Sequence, residues 1–263
     1  MFEARLKEGI QFKNIIDAIK DLVTDCNVEL SEEEMAIQSM DSAHVALVGV
    51  QLSASAFEQY RCDVPNQLGI NTANMAKILK MMNKDDALSL KSEDQADSLT
   101  MMFESDGNGT IADFDLKLMD IDTEQMQIPD TPYKCNIKMP SSEFQRIVRD
   151  LQVLGDTCTI SCTKEGIRFS VSGDIGTGNI LTRADASSEK EAEHVVIDME
   201  EPVELNFALR YLNFFTKATA LSDSVVIAMS PDVPIVVEYG ISECGYVKYF
   251  LAPKIEEDEE DEQ

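Results

Sequence analysis

The residues of this sequence that could support catalysis or metal binding are its cysteines, histidines, carboxylates and glycine-rich turns. Of the six cysteines, Cys158 and Cys162 lie four apart, but no Cys or His pair at zinc-ligand spacing accompanies them. Residues 173–178 have the glycine spacing of a phosphate loop, yet Asn179 and Ile180 replace its Lys and Ser/Thr, which predicts a turn instead. The sequence therefore indicates no cofactor.

The sequence also does not support a calcium-binding loop or a catalytic acid–base pair. Asp106 and Asn108 resemble the start of a calcium loop, but Ile111 occupies the position of its required glycine and no Glu closes it. The two histidines, His44 and His194, suggest no nucleophile–base pair, and no carboxylate stands out from a solvated surface. These observations predict a protein that binds rather than catalyses.

Basic residues offer a different chemistry, because they recur on four segments in which apolar residues have helical spacing. These windows, 10–23, 72–84, 141–154 and 207–220, contain nine basic and four acidic residues, in a chain with 22 basic and 49 acidic residues and a net charge of −27. Such a total argues against nucleic acid, and good helix-forming propensity would explain basic residues on one helix. Four basic helices in so acidic a chain instead predict a surface that faces a polyanion. Its predicted residues are Lys13, Lys20, Lys77, Lys80, Lys84, Arg146, Arg149, Arg210 and Lys217.

Strands are predicted between the helices, where apolar and polar residues alternate. The helix caps are predicted at Thr72 and at Ser141 or Ser142. Cysteines in a chain of this size that opens without an apolar leader are expected to be reduced core residues. The predicted strands are 1–6, 27–30, 35–40, 38–53, 60–63, 88–91, 98–104, 111–118, 134–139, 158–163, 167–172, 179–183, 224–229, 235–239 and 246–251.

The order of elements occurs twice. Placing Phe12 on Phe144 also places Ile16 on Val148, and the order strand, basic helix, strands, basic helix, strands holds in both halves. Each half is predicted to be an antiparallel-rich α+β unit with two helices on one side of its sheet. Between the halves, a stretch with two prolines fits neither the strand nor the helix period. The predicted boundaries are 1–118 and 134–255 for the domains, 119–133 for a connector, and 256–263 for a solvated acidic tail.

Several longer stretches have a recognisable sequence: MFEARL (1–6), QSMDSAHV (38–45), YRCD (60–63), KLMDID (117–122), LRYLNFFTKAT (209–219), DVPIVVEY (232–239) and LAPKIEE (251–257). In these stretches, and along its whole length, the chain resembles the proliferating cell nuclear antigen family of eukaryotic DNA sliding clamps. The resemblance implies two similar clamp domains per subunit in a head-to-tail trimeric ring. Antiparallel sheets would lie outside, and basic helices would line a hole that encircles duplex DNA without reading its sequence.

The resemblance also implies partners and sites. Polymerases, the clamp loader, a flap nuclease and DNA ligase would dock a short hydrophobic-aromatic motif near the connector, in the nucleus and without a membrane. Lys164 matches a site of ubiquitin conjugation, which is connected with translesion synthesis. The subunit interface would include Phe114, Leu151, Leu154, Ile175 and Gly178. The partner pocket would comprise Met40, His44, Val45, Leu47, Met126, Ile128, Val233, Pro234, Phe250, Ala252, Pro253 and Ile255.

Two pocket positions depart from the familiar form of the family, which has Leu at 126 and Tyr at 250. Met126 and Phe250 keep the pocket apolar, but the lost hydroxyl and the more pliable Met would alter partner preference. Two other classes of protein remain open from the residues alone. Acidic clusters beside a basic groove would suit a metal-dependent nuclease, and the acidic tail would suit a histone-binding chaperone.

Overall fold

The fold is that of a computed structural model, which describes residues 1–105, 107, 109–122, 132–185, 187–188, 190 and 193–255. Its helices are α1 (Gly9–Ile19), α2 (Thr72–Leu79), α3 (Ser141–Leu151) and α4 (Leu209–Phe215), with 3₁₀ segments at Ala54–Ala56 and Thr216–Leu221. Nine strands belong to the first half of the chain: β1 (Phe2–Leu6), β2 (Asp25–Leu30), β3 (Glu34–Met40), β4 (Ala46–Ser53), β5 (Gln59–Cys62), β6 (Asn66–Asn71), β7 (Ala87–Ser92), β8 (Ser98–Glu104) and β9 (Ile111–Lys117).

Nine further strands belong to the second half: β10 (Cys135–Pro140), β11 (Thr157–Thr163), β12 (Gly166–Gly173), β13 (Gly176–Thr182), β14 (Val196–Met199), β15 (Val203–Ala208), β16 (Ser224–Met229), β17 (Ile235–Ile241) and β18 (Gly245–Leu251). The order of strands and α-helices in this half repeats that of the first. The α+β class and the internal repeat predicted from the sequence are therefore confirmed.

The strands form three antiparallel sheets. A five-stranded sheet has the order β5-β1-β7-β8-β9, and a four-stranded sheet has the order β13-β12-β11-β15. The third sheet has nine strands, β14-β10-β16-β17-β18-β4-β3-β2-β6, and it crosses from one half of the chain to the other between β18 and β4. The strands of each half are thus divided between two sheets, rather than forming the single sheet that the sequence predicts.

The crossing from β18 to β4 is a regular antiparallel ladder. Its register runs from Leu251 opposite Ala46 to Gly245 opposite Leu52. Gly245 is required there, because a Cβ atom at this position would lie 2.0 Å from the carbonyl oxygen of Gln51. The two halves are therefore held in one continuous sheet, with a close backbone approach at its end.

The helices form a connected layer over one side of the sheets. Apolar residues on one face of α1 and α3 are buried, among them Phe12, Ile16, Phe144 and Ile147. Helix α1 packs against α2 and against the 3₁₀ segment Thr216–Leu221, which also contacts α3. The two halves meet in this layer too, since the Tyr249 hydroxyl donates to the carbonyl oxygen of Ala18 (3.1 Å).

The cysteines lie mostly in the core, as predicted. All six are free thiols, and only Cys244 is not buried. Burial raises the pKa of the Cys26 and Cys158 thiols to about 12, so both remain protonated at neutral pH.

Two predicted helix caps are wrong. Asn71 caps α2 by accepting from the backbone N–H of Asn74 (2.9 Å), whereas the buried Thr72 hydroxyl donates to the carbonyl oxygen of Val23 (2.6 Å). Ser141 and Ser142 both lie inside α3, whose N-cap is Pro140, and the Ser141 hydroxyl donates to the carbonyl oxygen of Ser222. The hydroxyls that were predicted to cap the helices locally therefore bond to distant parts of the backbone instead.

Other boundaries also differ from the prediction. The segment predicted as a helix over 207–220 begins as the end of β15, because the backbone of residues 203–208 pairs with β11. Only residues 209–215 are α-helical, and a 3₁₀ segment follows. Helix α2 ends at Leu79, so Lys84 lies in a turn where the Asp86 carboxylate accepts from the N–H of Asn83 (2.8 Å). Strands β6, β14 and β15 were not predicted.

Candidate functional site

The exposed side of the helix layer carries the predicted basic residues. Lys13 lies on α1, Lys77 on α2, and Arg210 on α4, while Lys20 and Lys80 lie just beyond the ends of α1 and α2. Arg146 and Arg149 lie on α3, and Lys217 lies in the 3₁₀ segment after α4. These residues are exposed or half-exposed, since the opposite faces of the helices are buried in the core. Together with Lys84 we call them the cationic face.

The four acidic residues of this layer are all engaged with its cations. Lys20 pairs with Asp17, and Lys217 pairs across the two halves with Asp21. The Arg146 Nε donates to Glu143 (3.0 Å), which holds the pKa of that carboxyl below its usual value.

On the neighbouring turn of α3, the Arg149 guanidinium lies 3.1 Å from the Asp150 carboxylate, which is 3.5 Å from Arg146. Exposed pairs of this kind are weak, so their cations remain available to other anions.

Among the described residues, the other cations of this face have no such partner. In the described part of the chain, no carboxylate lies within 4.0 Å of Lys13, Lys77, Lys80, Lys84 or Arg210. Lys77 Nζ donates to the amide oxygen of Asn74 (3.3 Å), and the Arg210 guanidinium lies over the rings of Tyr211 and Phe214. The layer therefore presents unneutralised positive charge in a strongly acidic chain, which suits a polyanion such as a nucleic-acid backbone.

The opposite face of the nine-stranded sheet carries an apolar row. Strand pairing places Met40 opposite Leu47, Leu47 opposite Phe250, and Phe250 opposite Val236. The neighbouring residue Tyr249 points to α1, so this row lies on the side away from the helices. Directly opposed residues on one face of an antiparallel pair contact each other. The structure thus brings three predicted pocket residues together and adds Val236, which the sequence analysis did not assign.

The loop between β3 and β4 forms one end of this row. It contains His44 and Val45, and the Val45 carbonyl oxygen accepts from the backbone N–H of Ala252 (3.2 Å). Pro253 follows on the same segment, and Ile255 is 89% exposed. The turn before β17 contains Val233 and Pro234, and the Pro234 carbonyl oxygen accepts from the Tyr133 hydroxyl (3.2 Å). Met126 and Ile128 lie outside the described residues, as does the acidic tail 256–263.

A buried carboxylate shapes that loop. Asp41 accepts from the backbone N–H groups of Val45 and Ala46 (both 2.8 Å) and of Ala43 (3.2 Å), and from the Tyr211 hydroxyl (2.7 Å). Burial acts to raise the pKa of Asp41, but these hydrogen bonds outweigh it, and the pKa lies below its usual value. The sequence analysis missed Asp41 and Tyr211; an Asp in a polar turn before an apolar strand was the only signal for Asp41.

The predicted interface residues lie on or beside two edge strands, with Phe114 on β9 and Gly178 on β13, while Leu151 ends α3. Phe114 lies on β9, where its ring packs on Phe103 with the ring centroids 5.2 Å apart. On the other edge, a Cβ atom at Gly178 of β13 would lie 2.5 Å from Leu154 and 3.1 Å from Leu151. Leu151 is already buried in the single chain, whereas Ile175 is 71% exposed. Within the described residues, β9 and β13 each pair with a strand on one side only.

Lys164 lies at the tip of the turn between β11 and β12. It is exposed, and the neighbouring N–H of Glu165 donates to the Thr163 hydroxyl (3.2 Å). A depression of about 250 Å³ beside it is lined by Gly166, Ala184, Ile197 and Met199 in addition to these three residues. The lysine is therefore accessible from solvent.

Two similar α+β domains, joined by a continuous sheet and covered on one side by helices that present cations, are typical of the DNA clamp fold. Comparison with protein families agrees. The N-terminal domain of proliferating cell nuclear antigen matches residues 1–127, and its C-terminal domain matches residues 127–254. The chain belongs to the proliferating cell nuclear antigen family.

Membership establishes the general function. The protein is a DNA sliding clamp, a processivity factor of DNA replication that encircles DNA and binds replication proteins. The family is one of non-enzymatic clamps, and neither the nuclease nor the histone chaperone is supported. No helix in the described ranges has the length and apolar character needed to cross a membrane.

Proposed function

We propose that three copies of the chain form a closed head-to-tail ring in which β9 of one subunit pairs with β13 of the next. The observation that carries this proposal is the repeat itself. Strand β18 of the second half pairs with β4 of the first. By the order of elements, β9 is the counterpart of β18, and β13 is the counterpart of β4. Of the edge strands in the described residues, β9 and β13 are thus the two whose counterparts already pair within the chain, so they can form the same junction between subunits.

The cationic face would line the hole of this ring. Closure of the ring holds the DNA, so the phosphate contacts need only be weak, independent of sequence and sensitive to salt. Acidic residues elsewhere on the surface would disfavour binding of DNA outside the hole. A solution mass of three subunits of 29.2 kDa each, measured by light scattering, tests the assembly; a monomer at micromolar concentration would contradict it.

We propose further that the apolar row, with the loop after β3, the turn before β17 and the segment after β18, is the partner pocket. The connector residues Met126 and Ile128 would complete it. Polymerases, the clamp loader, a flap nuclease and DNA ligase would insert a hydrophobic-aromatic motif there. The support is that Met40, Leu47 and Phe250 lie side by side on the outer face, next to the end of the connector.

Phe250→Ala is expected to lower the affinity of the protein for a synthetic peptide with the clamp-binding motif by roughly tenfold or more. The reason is that an anchor at the centre of an interface typically contributes about 2 kcal/mol to binding. Ile128→Ala is expected to act in the same direction. Titration calorimetry measures the affinity, and light scattering checks that the trimer persists.

The matched control is Tyr246→Ala, which truncates an aromatic residue on the same face of β18, opposite Gln51 and four residue pairs along the ladder from Phe250 and Leu47. We expect it to leave the peptide affinity unchanged. Equal losses from Phe250→Ala and Tyr246→Ala would show that the pocket lies elsewhere.

We also propose that the protein acts in the nucleus and that Lys164 is a site of ubiquitin conjugation that supports translesion synthesis. Exposure of Lys164 at the tip of a turn supports the modification. Lys164→Arg keeps the charge and is expected to abolish conjugation in a reconstituted reaction while leaving processive synthesis intact. Lys190→Arg, at another exposed lysine, serves as the control. Persistent conjugation on the Lys164→Arg protein would contradict the assignment.

A further inference from the structure

We propose that Tyr211 and Asp41 are positioning residues of the partner pocket, which connect a helix of the second domain to the loop at the edge of the pocket. The inference rests on the proposed pocket. The inference adds two residues that do not contact the docked peptide themselves but hold in place the pocket residues that do. Tyr211 belongs to α4, and Asp41 begins the loop between β3 and β4, so the contact spans the two halves of the chain.

The contact is short and buried. The Tyr211 hydroxyl donates to Asp41 Oδ2 at 2.7 Å, and the two residues are 9% and 6% exposed. The other acceptor positions of the carboxylate are occupied by backbone N–H groups of residues 43, 45 and 46. A buried carboxylate depends on such donors, because no bulk water can replace a missing one. Loss of the hydroxyl therefore weakens the hold on the whole loop.

The loop needs this hold because its backbone is in an uncommon conformation. His44 has a φ of +56°, in the left-handed region that residues other than glycine seldom adopt. Such a conformation persists only where the surroundings determine it. The carboxylate bonds to the residues on both sides of His44. It also fixes Val45, whose carbonyl oxygen holds the N–H of Ala252 at the opposite side of the pocket.

The ring of Tyr211 is held independently of its hydroxyl. It packs edge-on against Phe214 with the ring centroids 6.1 Å apart, and the Arg210 guanidinium lies 5.6 Å from its centroid. Tyr211→Phe therefore removes one hydrogen bond and leaves the ring contacts in place. This makes the hydroxyl's contribution separable from the packing of α4.

The test compares Tyr211→Phe with Tyr249→Phe. Tyr249 also donates its hydroxyl across the two halves, but to the carbonyl oxygen of Ala18 on α1 and not to a residue of the loop. With the synthetic clamp-binding peptide as probe, Tyr211→Phe is expected to raise Kd about two- to tenfold, the range for loss of one hydrogen bond. Tyr249→Phe is expected to leave Kd unchanged. Trimer mass and retention on DNA should match the parent in both variants.

Hydrogen exchange provides a readout specific to positioning. The amides of Val45 and Ala46 should exchange faster in Tyr211→Phe, because they donate to the carboxylate that has lost its fixed partner. In the Asp41→Ala background, the Tyr211→Phe change should have no further effect on Kd, since the two residues act in series.

Three results would overturn the inference while the parent binds the peptide: parental affinity in Tyr211→Phe, an equal loss in Tyr249→Phe, or additive effects with Asp41→Ala. If Asp41→Ala does not fold, the comparison of Tyr211→Phe with Tyr249→Phe and the exchange of the two amides decide the matter. A parent that fails to bind the peptide would instead overturn the proposed pocket, and this inference with it.

Discussion

Replacing Phe114 with alanine is expected to convert the proposed trimer to monomers at low micromolar concentration. Phe114 is half-buried on β9, and part of its ring remains exposed in the single chain. Pairing with β13 of a neighbour would cover it, beside Leu154 and Ile175. Truncating a buried Phe costs about 3–5 kcal/mol, which corresponds to at least about a hundredfold in an association constant. Because a closed ring has this junction three times, the loss applies at each one.

Sedimentation velocity measures the result, and thermal unfolding checks that the monomer is folded. Part of the cost will fall on the fold itself, since Phe114 also packs on Phe103. Phe214→Ala is the matched control: Phe214 is likewise half-buried, but it lies on α4, away from both edges. It should lower the unfolding temperature without dissociating the trimer. A Phe114→Ala protein that sediments only as a trimer would exclude this interface.

Reversing Lys77 and Lys80 to glutamate is expected to shorten retention of the ring on circular DNA by about tenfold or more at low salt, where phosphate contacts are strongest. Both side chains are exposed, and no carboxylate in the described residues neutralises either. In every subunit, the change replaces two side chains that attract DNA phosphates with two that repel them. Processive synthesis should fall in parallel, and the difference from the parent should narrow as salt is raised.

The control applies the same charge change elsewhere. Lys164 and Lys190 are exposed lysines outside the helix layer, so their joint reversal to glutamate should leave retention close to parental. Peptide affinity should be unchanged in both double variants. Equal losses in the two would show that retention depends only on total charge, and no loss at low salt for Lys77 and Lys80 would show that the helices do not face DNA.

The helices and most strands could be predicted from the sequence, because their periods are local. Phe12, Ile16 and Phe144 repeat at helical spacing, and the structure buries all three. The lysines and arginines lie out of phase with them, which places these cations on the exposed face. That much of the candidate DNA surface follows from spacing alone.

What could not be predicted depends on contacts between distant residues. Strand β6, with the sequence NQLGIN, has no clear alternation, and its backbone is placed by pairing with β2. The hydroxyls of Thr72 and Ser141 do not cap their helices; they donate to carbonyl oxygens that are distant in the sequence. Tyr211 and Asp41 are 170 residues apart, so nothing local indicates that one positions the other.

The β18–β4 ladder also affects how readily the proposed ring assembles. Three copies would have six domain junctions, three of them within a chain and three between chains. Association of free partners costs several kcal/mol or more in lost translational and rotational freedom. Covalent linkage of two domains removes that cost at every internal junction and makes their pairing independent of protein concentration. Half of the six junctions are therefore already formed within the three chains, which can close the ring at concentrations too low for six separate domains.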